Sequence, residues 1–142
     1  MATGENFGFL LGETARTWRT RLDQRLRPLG LSQARWLVLL HVNMARNDLT
    51  QKELSERLGI EGPSLVRLLD RMESDEWVER RASPSDRRAK TIHLTARAVE
   101  TIRDIKRIAT RLRGELLSEI SAEELAVASN VLQRIKQHAE QL

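Results

Sequence analysis

Apolar side chains recur every three or four positions along most of the chain, the period of a helix rather than a strand. Leu11, Ala15, Trp18, Leu22 and Leu26 follow it and predict a first helix from about Phe9 to Leu26, ended by Pro28 and Gly30. Ser32 suits the N-cap of a second helix carrying Ala34, Leu37, Val38 and His41, and the polar run Asn43 to Asp48 reads as a loop. Thr50-Gln51-Lys52-Glu53 has the form of a capping box, in which hydroxyl and carboxylate satisfy each other's free backbone amides. It starts a short helix with Leu54 and Leu58 inward. Gly59 closes that helix, because a left-handed backbone costs glycine little. Pro63 falls in the first turn of a third helix, where its missing amide is not needed, and this helix runs to Ser74 or Asp75.

The pattern then changes. Trp77 to Arg81, Ser83 to Arg88 and Lys90 to Leu94 read as strand, exposed loop and strand. Thr95 caps a long helix with Ala98, Ile102, Ile105, Ala109, Leu112 and Leu116 on one face. Ser121-Ala122-Glu123-Glu124 is a second capping box and opens a last helix, with Leu125, Ala128, Leu132, Ile135 and Ala139 predicted inward. No internal repeat interrupts this order.

Composition narrows what such a chain can do. Its 142 residues fit one domain and leave no room for a separate catalytic domain of ordinary size. Aromatics are only 4%, so aliphatic side chains must build the core. Charged residues reach 31%, above the usual ~25%, which implies much solvated helix surface. The net charge of +4 permits an anionic partner without requiring one. The absence of cysteine excludes disulfides, thiolate metal sites and cysteine-based redox sensing. MATGENFGFLLGETAR does not read as a signal peptide, and no window approaches ~18 apolar residues. The expectation is therefore a soluble cytoplasmic protein without membrane contact. His41, His93 and His138 fall in separate elements, and no GxSxG, Walker loop or HExxH is present. No metal, cofactor or enzymatic activity is expected.

The informative stretch is Leu49 to Leu94. Helix, tight turn and helix form the helix-turn-helix pattern, and the hairpin after it makes a winged helix. On the second motif helix, Leu65, Leu68, Leu69 and Met72 form an apolar stripe. Ser64, Arg67, Arg71 and Ser74 lie on a different face, with side chains suited to base edges and phosphates. The free amides near Pro63 and Ser64 also favour a phosphate. Such a face is equally an ordinary solvated surface, and Asp70, Glu73 and Asp75 oppose DNA unless they point away. From Glu61 to His93 seven Lys and Arg balance seven Asp and Glu, so bulk charge does not mark the region. The wing does: Arg80, Arg81, Arg87, Arg88 and Lys90 face only Asp86 between Arg80 and Lys90. Adjacent arginines at a hairpin tip suit a narrow minor groove. Asp86 is expected to hold one guanidinium in a bidentate pair.

A helix-turn-helix, a D-R-R wing and long C-terminal helices together resemble the MarR family of bacterial regulators over essentially the whole chain. GIEGPSLVRLLDRME and SPSDRRAKTIHLT look most similar to its SlyA branch. The resemblance implies a mainly α (α+β) fold. A winged helix-turn-helix DNA-binding lobe spans about 48–94, and a helical dimerisation lobe about 5–30 and 95–142, within one domain. It implies a homodimer on a pseudo-palindromic operator in double-stranded DNA, with half-sites about one helical turn apart. Pro63, Ser64, Arg67 and Arg71 then face the major groove, Ser64 and Arg67 as readers. Arg88, with or beside Arg87, enters the minor groove, Asp86 braces the wing, and Gln51 and Lys52 meet phosphates. Independently, a ~20-residue helix with an unbroken aliphatic face needs a covering surface, supplied by a second chain or by the first and last helices of one chain. Family members that bind small aromatic carboxylates do so between the dimer helices and the DNA-binding lobe. Arg16, Arg19, Trp36 and His41 are the candidates here, Trp36 as a flat wall and an arginine as the carboxylate's partner. Core for Trp36 and surface for the arginines is the competing reading. A winged helix serving as a protein-interaction or architectural module, without ligand response, is the alternative to a regulator.

Overall fold

Along residues 4–142, which the computed structural model describes, there are six α-helices, as the apolar period predicts, and three short strands. Helix α1 (Phe7–Leu26) runs into a 3-10 turn (Arg27–Leu29), where Gly30 takes the left-handed conformation. Then come α2 (Gln33–Met44), β1 (Leu49–Thr50), α3 (Gln51–Leu58) and α4 (Gly62–Ser74). The wing strands β2 (Val78–Ala82) and β3 (Lys90–Leu94) lead to α5 (Ala96–Leu116) and α6 (Ala122–Glu140). The chain forms two compact units, one ending at Ala109 and one spanning Thr110–Leu142.

In the first unit the core is aliphatic. Leu26, Val38, Leu39, Leu54, Leu69, Met72 and Ile105 are fully buried. Each such side chain contributes roughly 1.5–3 kcal/mol of burial, which the low aromatic content requires. The four stripe residues of α4 are all buried, so its opposite face is turned outward. Both capping boxes form: Thr50 with Glu53, and Ser121 with Glu124. Thr95 accepts from the Ala98 amide at the start of α5.

The sheet has one strand more than the hairpin predicted from the sequence. Leu49 and Thr50 pair antiparallel with Ile92 and Thr91, giving the order β1-β3-β2. Two residues are too few for an alternating pattern, so sequence periodicity could not reveal them. On the other side of β3, Arg80 pairs with Ile92 and Arg81 with Thr91, which leaves β2 as an outer strand.

Helix α4 ends in a left-handed residue that is not glycine. The Trp77 amide donates to the Met72 carbonyl and the Glu76 amide to that of Glu73, a Schellman closure. Glu76 supplies the left-handed residue, with φ 62°. Thr95 Oγ1 donates to the Glu76 carbonyl at 2.7 Å and an Arg97 Nη to the Asp75 carbonyl at 2.6 Å. Arg97 also stacks over Trp77, 3.8 Å from the ring centre. The first turn of α5 thus holds the end of α4.

In the second unit the helical period of α6 is as expected, but its direction is not. Leu125, Ala128, Leu132, Ile135 and Ala139 were predicted inward, yet all are exposed, and α6 has no buried residue. An aliphatic stripe marks a face that favours covering, and nothing within this unit covers it.

Candidate nucleic-acid interface

Helix α4 presents the face that the sequence singled out. Pro63 and Arg67 are exposed and Ser64 is half-buried. Arg67 Nη2 donates to Ser64 Oγ at 3.2 Å, so the two proposed readers are already joined one helical turn apart. Arg71 is exposed on the same flank, and Lys52 is exposed in the first turn of α3.

The acids of α4 are turned aside by arginines from elsewhere. Arg80 Nη2 lies 2.5 Å from Asp70 Oδ1 and 2.9 Å from Glu73 Oε1. The Arg80 backbone amide donates to Glu73 Oε2 at 2.9 Å, and its Nη1 reaches Gln51 Oε1 at 3.4 Å. Arg35 pairs with Asp75 at 2.8 Å. Arg80 therefore ties β2, α4 and α3 together rather than adding charge to the wing. Gln51, expected at a phosphate, has its carbonyl oxygen committed to this cluster. The backbone amide of Arg80, then its guanidinium, holds the Glu73 carboxyl below its ordinary range. Burial opposes the guanidinium's charge, but its bonds to Glu73 and Asp70 outweigh that and raise its pKa.

The wing tip is built differently from the sequence expectation. Asp86 accepts from the Arg88 backbone amide at 2.9 Å, and its carbonyl accepts from the Ala89 amide at 3.1 Å. The Ser83 amide closes the loop onto the Ala89 carbonyl at 2.9 Å. Asp86 is a brace, as expected, but of the backbone: the expected bidentate pair with a guanidinium does not form. An aspartate two residues before an amide closes an Asx turn more readily than it reaches a long side chain. Arg87 and Arg88 are exposed, and among the described residues neither guanidinium has a partner.

The four ligand candidates divide. Arg16 and Arg19 are exposed on α1. Trp36 is 2% exposed and its indole N–H donates to Asp23 Oδ1 at 3.1 Å, so the expected flat wall is a core residue. Indole rings are large and apolar, and burial with one satisfied N–H is their usual state. Half-buried His41 has its pKa lowered, first by burial and then by the charges of Arg57 and Arg19. Arg57, absent from the sequence reading, also lines a cleft of about 380 Å³ with Arg46 and Asn47. Among the described residues no group of three or more His, Cys, Asp or Glu could hold a metal ion, and no helix is long and apolar enough to cross a membrane.

The sequence model of the MarR family matches residues 29–89, from the end of the 3-10 turn to the end of the wing loop. The chain is 50% identical to a solved structure described as transcriptional regulator PA3341, with a TM-score of 0.89, covering 96% of this chain and 99% of that one. The chain belongs to the MarR family. It is also similar to a MarR variant from E. coli solved in complex with operator DNA, at 28% identity and a TM-score of 0.78, covering 90% of this chain and 91% of that one. A MepR–DNA complex from S. aureus shares the fold at 21% identity and a TM-score of 0.79, over 94% of this chain and 97% of that one. The mostly helical MarR fold with a small three-stranded antiparallel sheet is thus the fold of this chain. Its α3–α4 pair, β2 and the wing loop lie inside the segment that the family model matches, which ends just before β3.

Proposed function

We propose that this MarR-family chain is a homodimeric, sequence-specific DNA-binding transcriptional regulator. In this reading α4 enters the major groove and the wing arginine the minor groove. One observation carries it: charge is sorted at the surface. Asp70, Glu73 and Asp75 are engaged by Arg80 and Arg35, Arg67 bonds only to Ser64, and Arg71, Arg87 and Arg88 have no partner among the described residues. The paired acids leave these cations free to meet an anionic partner. That an E. coli MarR variant was solved in complex with operator DNA supports DNA binding by this fold. The GIEGPSLVRLLDRME and SPSDRRAKTIHLT stretches support a place in the SlyA-like branch. The homodimer rests on exposed apolar faces. Phe7, Phe9, Leu10 and Leu11 in α1 are exposed, as are Leu125, Leu132 and Ile135 in α6, and a second copy is the partner that covers them.

The test is fluorescence anisotropy with the upstream region of its own gene, against random competitor, at two salt concentrations. Affinity near 10⁻⁸ M or tighter that falls steeply with salt is expected, together with a dimer mass in sedimentation. Binding equal to that of random DNA at both salts overturns the regulator.

A small aromatic carboxylate is the effector class that the cationic surroundings of His41 favour. Two arginines act on that ring, so a bound anion offsets their field and raises the histidine's pKa. Salicylate is expected to give heat in a calorimetric titration, to lose most of it in Arg19→Ala, and to weaken operator binding. No heat and an unchanged gel shift count against this effector.

A further inference from the structure

Hydrophobic side chains that remain exposed are unevenly distributed in this molecule. The large ones belong to α1, the end of α2, α5, the turn after it, α6 and the last residue Leu142, with one exception. Between residues 45 and 98, Val66 is the only one among the described residues, at 37% exposure. It sits in the second turn of α4, one turn after Pro63 and directly before Arg67. At 100° per residue, Pro63, Val66 and Arg67 share one arc with Asp70, on the side opposite Leu65, Leu68 and Met72, and Asp70 is paired with Arg80. Pro63 and Val66 make a small apolar step at the leading end of the helix, bordered by the guanidinium of Arg67.

A valine here lies outside the buried stripe of Leu65, Leu68, Leu69 and Met72 and lowers helix propensity relative to alanine. Its two methyl groups have a natural counterpart in a major groove. Among the base edges, thymine alone displays a C5-methyl there, and apolar contact is how that methyl is read. We propose that Val66 is a specificity-determining residue that packs on the C5-methyl of one thymine in each half-site, beside the base or phosphate met by Arg67. This role rests on the DNA-binding reading above.

Replacing a single thymine by uracil removes the methyl and nothing else. The purified dimer is first used to select its preferred duplex from a randomised library. Each thymine of that duplex is then exchanged for uracil, and Kd is measured for the wild type and for Val66→Ala. One symmetric pair of positions is expected to weaken wild-type binding about fourfold per methyl and roughly 15-fold together, the value of burying a methyl-sized group. In Val66→Ala the same exchanges are expected to change Kd less than twofold. The variant keeps its fold because the side chain is exposed, and a thermal melt confirms it. A selection that returns no preferred sequence overturns the DNA-binding reading, and this role with it. A preferred site whose thymines all tolerate uracil, or a uracil penalty that persists in Val66→Ala, overturns the role of Val66 alone.

Discussion

Replacing Arg80 by methionine is expected to lower both the stability of the protein and its affinity for DNA. Methionine keeps most of the aliphatic stem, so the change removes chiefly the guanidinium. That group sits at 15% side-chain exposure among Asp70, Glu73 and Gln51, and it holds β2 against α4 and α3. Breaking a fully buried pair from one side costs about 3–5 kcal/mol. Here both carboxylates stay partly in water, so about 1–3 kcal/mol is appropriate, and Tm is expected to fall by roughly 3–10 °C. DNA affinity is expected to fall for a second reason: two negative charges on the helix proposed to enter the groove lose their cation. A loss of about tenfold is expected, and adding Glu73→Gln to Arg80→Met should restore part of it. The stability effect depends on pH in a definite direction. The Glu73 carboxyl is held below its ordinary range, so its contribution is complete above that range and lost as the pH falls through the depressed value. The gap in stability between wild type and Arg80→Met should therefore narrow on acidification. Equal melting curves for the two proteins at neutral pH would show that the cluster is a surface decoration.

Arg88→Ala is expected to separate the two effects, leaving Tm unchanged and weakening DNA binding by at least about 1–3 kcal/mol, roughly 5- to 150-fold in Kd. Its side chain is exposed and without a partner among the described residues, so the fold loses nothing. Its backbone is a different matter. Asp86 fixes the Arg88 amide, and the Ser83–Ala89 closure fixes the loop, so the guanidinium is carried on a prepared turn. Little ordering then remains to oppose binding, which is why one arginine has so large an effect. Losing a cation from the groove should also make the salt dependence shallower. Asp86→Ala, which keeps both arginines but frees the turn, should fall between wild type and Arg88→Ala. Unchanged affinity in folded Arg88→Ala would remove the wing from the mechanism.

The elements that depend on neighbours in sequence were legible from the start. Both capping boxes, the Gly59 stop, Pro63 in the first turn of α4 and the four-residue apolar stripe of that helix all involve residues within a turn or two of each other. Ser64 and Arg67 were legible for the same reason, being one turn apart. What was not legible depends on distant pairing. Arg80 read as wing charge because only the β2–β3 register turns it toward Asp70 and Glu73. The spacing of those acids, one turn apart on a helix meant for DNA, was the signal that a cation must come from elsewhere. Strand β1 exists only because β3 lies beside it. The stripe of α6 has the right period, but a period says that a face favours covering and not which surface covers it.

The outer strand of the wing bears on how the molecule avoids unwanted company. β2 has a neighbour on one side only, and such an edge ordinarily invites an extended peptide or another wing to add itself by β-augmentation. Here the middle of that edge is occupied: the Arg80 N–H points to a carboxylate of α4 instead of to solvent. An incoming strand would have to displace Glu73 to complete its ladder. Proteins bound side by side on one stretch of nucleic acid would thus find no template in each other's wings. A partner protein that recognises this fold has to use something other than its most obvious open edge.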